Sequence, residues 1–170
     1  MSNVLDGRIA HLDLAPLPSA PGWARRHAGA ALNAWQIGPD TIETAQLIVS
    51  ELVTNAIKAA NPGLVRPDSS RSSQREWVAL TLRLLQSRVV IEVFDSDPAP
   101  PVLSFAGADA ENGRGLVLVQ ALAKEWGHYF PPSGGKTVYA VIGTQEPDAH
   151  SHTNSALALR PFGHLRKERR

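Results

Sequence analysis

Cysteine is absent from the 170 residues, which excludes disulfide frameworks, thiolate zinc sites and cysteine nucleophiles together. Long apolar runs are absent too. Nothing approaches the ~20 consecutive apolar residues of a membrane span, and Met1 to Gly7 lacks the basic-then-apolar order of a secretory signal. A soluble protein of the reducing cytoplasm, with no membrane partner, is the expectation. Neither sign of charge is in excess: seventeen Lys and Arg face sixteen Asp and Glu, for a formal net charge of +1, so no electrostatic footprint points to direct nucleic-acid binding. Lysine is scarce, found only at positions 58, 124, 136 and 167, a skew that reads as coding bias. No repeat of solenoid or propeller length is visible.

What is present is the composition of one ordinary globular domain, with 43% hydrophobic and 19% charged residues, far from the signature of disorder. Arg8 to Leu14 alternates as a short strand. Ser19 is placed to cap a first helix that tolerates Pro21 in its opening turn and runs with apolar three- and four-residue spacing to Gly38-Pro39. Asp40, three residues before Glu43, forms a capping-box variant that starts a second helix, and Ile42, Ala45, Ile48, Val49, Leu52, Val53, Ala56 and Ala60 hold its period. That helix stops at Asn61-Pro62-Gly63, and the polar stretch to Glu76 reads as a mobile loop. Trp77 to Leu85 and Val89 to Phe94 read as a hairpin around Gln86-Ser87-Arg88. After a loop from Asp95 to Asn112, Gly113-Arg-Gly opens a third helix expected over Leu116 to Trp126, followed by strands near His128 to Phe130 and Thr137 to Ile142. The fold class is therefore α+β, helices on one face of a mixed sheet.

Hydrophobic period is lost beyond Gly143, so residues 1–143 are expected to form the domain and 144–170 a disordered basic tail. Truncation after Glu146 is expected to leave thermal stability within about 0.5 kcal/mol, the range for changes away from packed features. A larger drop in melting temperature would show that Leu157, Leu159 and Phe162 dock on the domain.

Three groups of residues can carry chemistry. Glu51 and Asn55 stand four apart on the second helix, so a carboxylate and an amide share one face. The amide oxygen suits Mg²⁺ carrying phosphates and the carboxylate suits proton abstraction, while a solvated helix face remains the plainer reading. Asp95 closes a strand that is nearly all apolar, where a partly desolvated carboxylate accepts from an exocyclic amine, although Asp-Ser-Asp-Pro is also a good turn. Gly113, Arg114 and Gly115 precede an apolar helix, where bare amides and the helix dipole hold phosphate; the glycines can equally be relieving strain at a turn. His27 and His128 have no second ligand at metal spacing. Trp23, Trp35, Trp77 and Trp126 are most simply core or interface anchors.

Taken in order, Glu51-Leu-Val-Thr-Asn55-Ala, Asp95 and Gly113-Arg-Gly-Leu116 resemble the boxes of the GHKL ATPases, the fold of histidine-kinase catalytic domains, Hsp90, gyrase B and MutL. The likeness is greatest to the small bacterial anti-sigma-factor serine kinases and stand-alone ATP-binding regulators, and it runs from Ser19 to Ile142. It includes the paired Arg25-Arg26 and the ending Gly134-Gly-Lys-Thr-Val-Tyr-Ala140. The resemblance implies a two-layer α/β sandwich of Bergerat type that binds ATP and Mg²⁺. Asn55 would hold the metal and Glu51 would be the general base. Asp95 would accept from adenine, Gly113, Arg114 and Gly115 would meet the phosphates, and Thr137 would join the adenine end through water. It further implies a sigma factor and an antagonist protein as partners and leaves homodimerisation open. A binding module of the same fold, holding its partner without turnover, is the rival reading. One departure stands out: the first glycine box reads Asp95-Ser96-Asp97-Pro98-Ala99, and Asp97 would repel phosphate unless it turned outward or met a cation.

Overall fold

Alternation along the strands decides which way this chain faces. Val78, Leu80 and Leu82, Val89, Ile91 and Val93, and Val138, Ala140 and Ile142 all point into one core, as a period of two requires. The computed structural model describes residues 7–60, 77–101 and 114–144. These form β1 (Arg8–Leu14), α1 (Ala20–Ala34), α2 (Pro39–Ala60), β2 (Val78–Leu85), β3 (Arg88–Asp95), α3 (Arg114–Leu122), β4 (Glu125–Tyr129) and β5 (Lys136–Gly143). The loop expected over 61–76, most of that over 95–112, and all but Thr144 of the tail expected over 144–170 lie outside the described residues; Thr144 N–H donates to the Ser87 carbonyl at 2.8 Å. Among the described residues no helix is long and apolar enough to cross a membrane.

The five strands form one sheet in the order β1-β2-β3-β5-β4, and the three helices share the core with its inner face. The α+β class and the single helical layer are as expected, but the sheet is not mixed: every neighbouring pair is antiparallel. The reason is topological. β3 and β4 run in the same direction, joined through α3, and β5 inserts between them, antiparallel to both. The outer face is polar at its centre, where Glu92 accepts from Arg83 Nε at 2.7 Å and from the Tyr129 hydroxyl at 3.0 Å.

α2 is the spine, with Ile48, Val49 and Val53 fully buried. α1 buries mostly alanine (Ala20, Ala24, Ala28) together with Leu32, so it lies close against α2. A Cβ at Gly29 would strike the Gln46 amide, which donates to the Arg25 carbonyl at 3.1 Å. Trp35 and Trp126 pack against the core. Trp23 and Trp77 are exposed, the first with the Arg26 guanidinium 4.2 Å from its ring centroid, the second tilted on Phe94 at 4.7 Å.

Four local expectations are corrected. Ser19 occupies the cap position of α1 in a helical conformation and makes no side-chain cap bond. α2 begins two residues early, at Pro39, with Ile42 N–H donating to the Gly38 carbonyl at 3.1 Å, so Asp40 lies inside the first turn, where it meets the positive end of the dipole. The hairpin turn is tighter than expected: Arg88 pairs with Leu85, and Gln86 takes a left-handed φ of 54°. α3 ends at Leu122 because Lys124 N–H donates to the Val141 carbonyl at 2.8 Å. β4 therefore starts at Glu125, and Trp126 enters the core from a strand, opposite Ala140.

Candidate functional site

The inward series on β3, Val89, Ile91 and Val93, ends on Asp95, which is 1% exposed. Its carboxylate therefore sits at the floor of a cavity of about 230 Å³ between the sheet, α2 and the start of α3. Leu52, Ala56, Val93, Leu116 and Val138 give that cavity apolar walls. Its polar groups come from Asn55, Asp95, Asp97 and Lys136, together with Lys58 at the rim of α2. Apolar walls with a few converging polar groups are the usual anatomy of a small-molecule site.

Lys136 is the unexpected member. It pairs with Asp95 across β3 and β5 and is 5% exposed. Its Nζ donates to Asp95 Oδ1 at 2.8 Å and to the Asp97 carbonyl at 2.9 Å, with Asp97 Oδ2 at 3.9 Å. The Asp97 N–H also donates to Asp95 Oδ1, at 3.0 Å, and Asp97 Oδ1 accepts from the Ala99 N–H at 3.1 Å. The acid that departs from the usual glycine box therefore meets a cation supplied by the chain itself. Burial pushes the Asp95 carboxyl above its ordinary value, against the opposing pull of the Lys136 hydrogen bond. Gly134 and Gly135, with φ of 88° and 73°, turn the chain into β5. A Cβ at Gly135 would run into the Asp95 carbonyl oxygen and the Phe94 ring.

Asn55 and Glu51 lie one turn apart on α2, as their spacing requires. Asn55 lines the cavity. Glu51 stands outside the lining, directed at the first turn of α3: a Cβ at Gly115 would collide with Glu51 Oε2 and come within 3.5 Å of Asn55 Nδ2. Gly115 is thus a close approach of two helices at the end where α3 presents unpaired amides. Arg114 is the first residue of α3, and Gly113 lies outside the described residues.

Thr137 is not brought to the site. It pairs with Phe94 and Tyr129 in the sheet and, being one residue from Lys136, faces the opposite side. The signal that places Lys136 inward is the alternation itself, since Val138, Ala140 and Ile142 share its parity. Among the described residues no group of three His, Cys, Asp or Glu is placed to hold a metal. His27 Nε2 is buried with no hydrogen-bond partner among the described residues, and burial, with His11 nearby, holds its pKa below the ordinary value. His128 packs edge-on against Phe130.

A family model described as the histidine kinase-like ATPase domain matches residues 15–142. Comparison with curated proteins finds no match. Among solved structures, the RsbU and RsbW domains of Rv1364c from Mycobacterium tuberculosis superpose with a TM-score of 0.58 at 17% identity, over 82% of this chain. At that identity the likeness is one of fold, and the match spans only 33% of the length of that chain.

Proposed function

The chain belongs to the histidine kinase-like ATPase family, and from that premise we propose that it is an ATP-binding regulatory protein, an anti-sigma factor with serine protein kinase activity on an antagonist protein. The observation that carries the reading is the convergence of Asn55, Asp95 and the Gly115 turn on one cavity, with Glu51 directed at the same turn. Asp95 Oδ1 is occupied by Lys136 and the Asp97 N–H, which leaves Oδ2 to accept from the exocyclic amine of the base. The apolar walls hold the ring.

The donor chemistry near Gly115 fits a divalent cation that arrives with its nucleotide. An amide oxygen and a carboxylate are both hard oxygen donors, and Mg²⁺ is held by few protein groups plus phosphates. Asn55 would hold it. When bound, Mg²⁺ supplies charge neutralisation across the phosphate oxygens. Glu51 takes the proton from the serine hydroxyl of the antagonist as the serine oxygen bonds to the γ-phosphorus. The bond from that phosphorus to the bridging oxygen breaks, and ADP leaves with the electron pair.

Asn55→Ala is expected to abolish the Mg²⁺ dependence of ATP binding, read by calorimetry with and without the metal. Dependence that survives the substitution removes Asn55 from the metal site. The reading as a whole is tested by thermal shift with Mg·ATP, since a ligand at a hundred times its Kd stabilises by about 2.7 kcal/mol. A second reading, a partner-holding module without turnover, is favoured by one observation: Lys136 already satisfies much of the polar floor. A flat response to Mg·ATP would select it. The sigma factor and the antagonist as partners belong to the same proposal and follow the resemblance of the boxes.

A further inference from the structure

Among the described residues, Asp95 and Lys136 present two unused hydrogen-bonding groups to the cavity, one of each kind. Lys136 Nζ spends two of its three N–H groups, on Asp95 Oδ1 and the Asp97 carbonyl. Asp97 Oδ2, at 3.9 Å, is beyond hydrogen-bond length. Asp95 Oδ2 carries no hydrogen bond among the described residues and is not enclosed as an orphaned buried atom. Both side chains line the cavity. An acceptor therefore stands beside a charged donor at the closed end of an apolar slot.

We infer that Lys136 is a specificity-determining residue that lets this site take 6-oxopurine nucleotides as well as 6-aminopurine ones. The inference rests on the nucleotide-binding reading above. A carboxylate alone rejects a 6-oxo base, because the carbonyl oxygen would face Asp95 Oδ2 with no donor between them. With Lys136 beside Asp95, a base held in one position meets a partner either way: an exocyclic amine gives its N–H to Asp95 Oδ2. An exocyclic carbonyl at the same point accepts the third N–H of Lys136 instead. Charge-assisted bonds of this kind are roughly twice as strong as neutral ones, which favours the carbonyl. Discrimination of 10⁴–10⁵ needs a site that leaves the wrong ligand's polar group unpaired, and here either exocyclic group finds a partner.

The test is calorimetry on the full chain with Mg·ATP and with Mg-inosine triphosphate, whose base carries the 6-oxo edge and no 2-amino group. The expected Kd for inosine triphosphate lies within about tenfold of that for ATP. A wider gap overturns the inference and leaves the ATP reading standing, whereas failure of both nucleotides to bind overturns both. In Lys136→Met, shown folded by circular dichroism, inosine triphosphate is expected to lose at least about ten times more affinity than ATP. Equal losses overturn the assignment to Lys136. If that variant does not fold, a gap wider than tenfold in the wild type still overturns the inference.

Discussion

If the proposed kinase reading holds, Glu51→Gln is expected to lower phosphoryl transfer to the antagonist protein by about 10²- to 10⁴-fold, the usual worth of a positioned base, while Mg·ATP and partner binding stay close to wild type. The expectation follows from placement. Phosphoryl transfer leaves little for protein side chains beyond positioning, charge stabilisation and removal of the hydroxyl proton. On α2 the Glu51 carboxylate is one turn from Asn55 and directed at the Gly115 turn. Glutamine keeps the shape and the contact with Gly115 and cannot take the proton. Transfer is read with radiolabelled γ-phosphate and candidate antagonists, binding by calorimetry. Undiminished labelling by the variant keeps the kinase and removes Glu51 as its base; wild-type protein that binds ATP and labels no antagonist leaves the proposed kinase activity without support.

Lys136→Met carries the largest stability effect, a loss of about 3–5 kcal/mol, the cost of removing one partner from a buried ion pair. Against the ~5–15 kcal/mol of a typical domain this is severe. Asp95 would remain 1% exposed with the Asp97 N–H as its one donor among the described residues, so its folded pKa rises further above the unfolded value. A carboxyl raised in this way is best tolerated below the unfolded pKa, and stability is lost as pH climbs through the folded one. The deficit of the variant is therefore expected to shrink on acidification, measured as denaturant midpoints of variant and wild type across the acid range. Lys136→Met with Asp95→Leu removes both charges and is expected to recover most of the loss, since apolar replacement of a buried pair is often neutral. A double variant no more stable than the single one would show that packing around the Lys136 stem, not the orphaned carboxylate, sets the cost.

The parts of the fold legible in the sequence are those set by local period. α2 stands out because nine buried positions keep helical spacing over 22 residues. β2 and β3 stand out because their apolar residues alternate around a short turn. The end of α3 was not legible: Ala123, Lys124 and Glu125 are all good helix formers, and the chain leaves the helix only because the Val141 carbonyl claims the Lys124 N–H. The antiparallel character of the sheet was hidden for a similar reason, since insertion of β5 is a fact of topology that no local pattern carries. The site divides in the same way. Glu51, Asn55, Asp95 and Gly115 were singled out by spacing and position and joined into one expected site by the resemblance, and Asn55, Asp95 and Gly115 line one cavity. Lys136 was within reach of the same reasoning: the alternation that points Val138 inward points Lys136 inward and Thr137 outward.

The insertion of β5 also bears on how the chain acquires its structure. β3 obtains its second neighbour from a segment 41 positions later, measured between Asp95 and Lys136, and β4, made before β5, has no neighbour until β5 arrives. Distant pairings of this kind slow folding, because a long loop must close before any contact repays it. A nascent chain that has emerged only as far as Tyr129 would hold β3 with one bare edge and β4 with two, surfaces that recruit other strands. Sheet closure therefore waits on translation of Lys136–Gly143, and because Lys136 also lines the cavity, the same late segment ends the chain's period of greatest aggregation hazard and completes its candidate site.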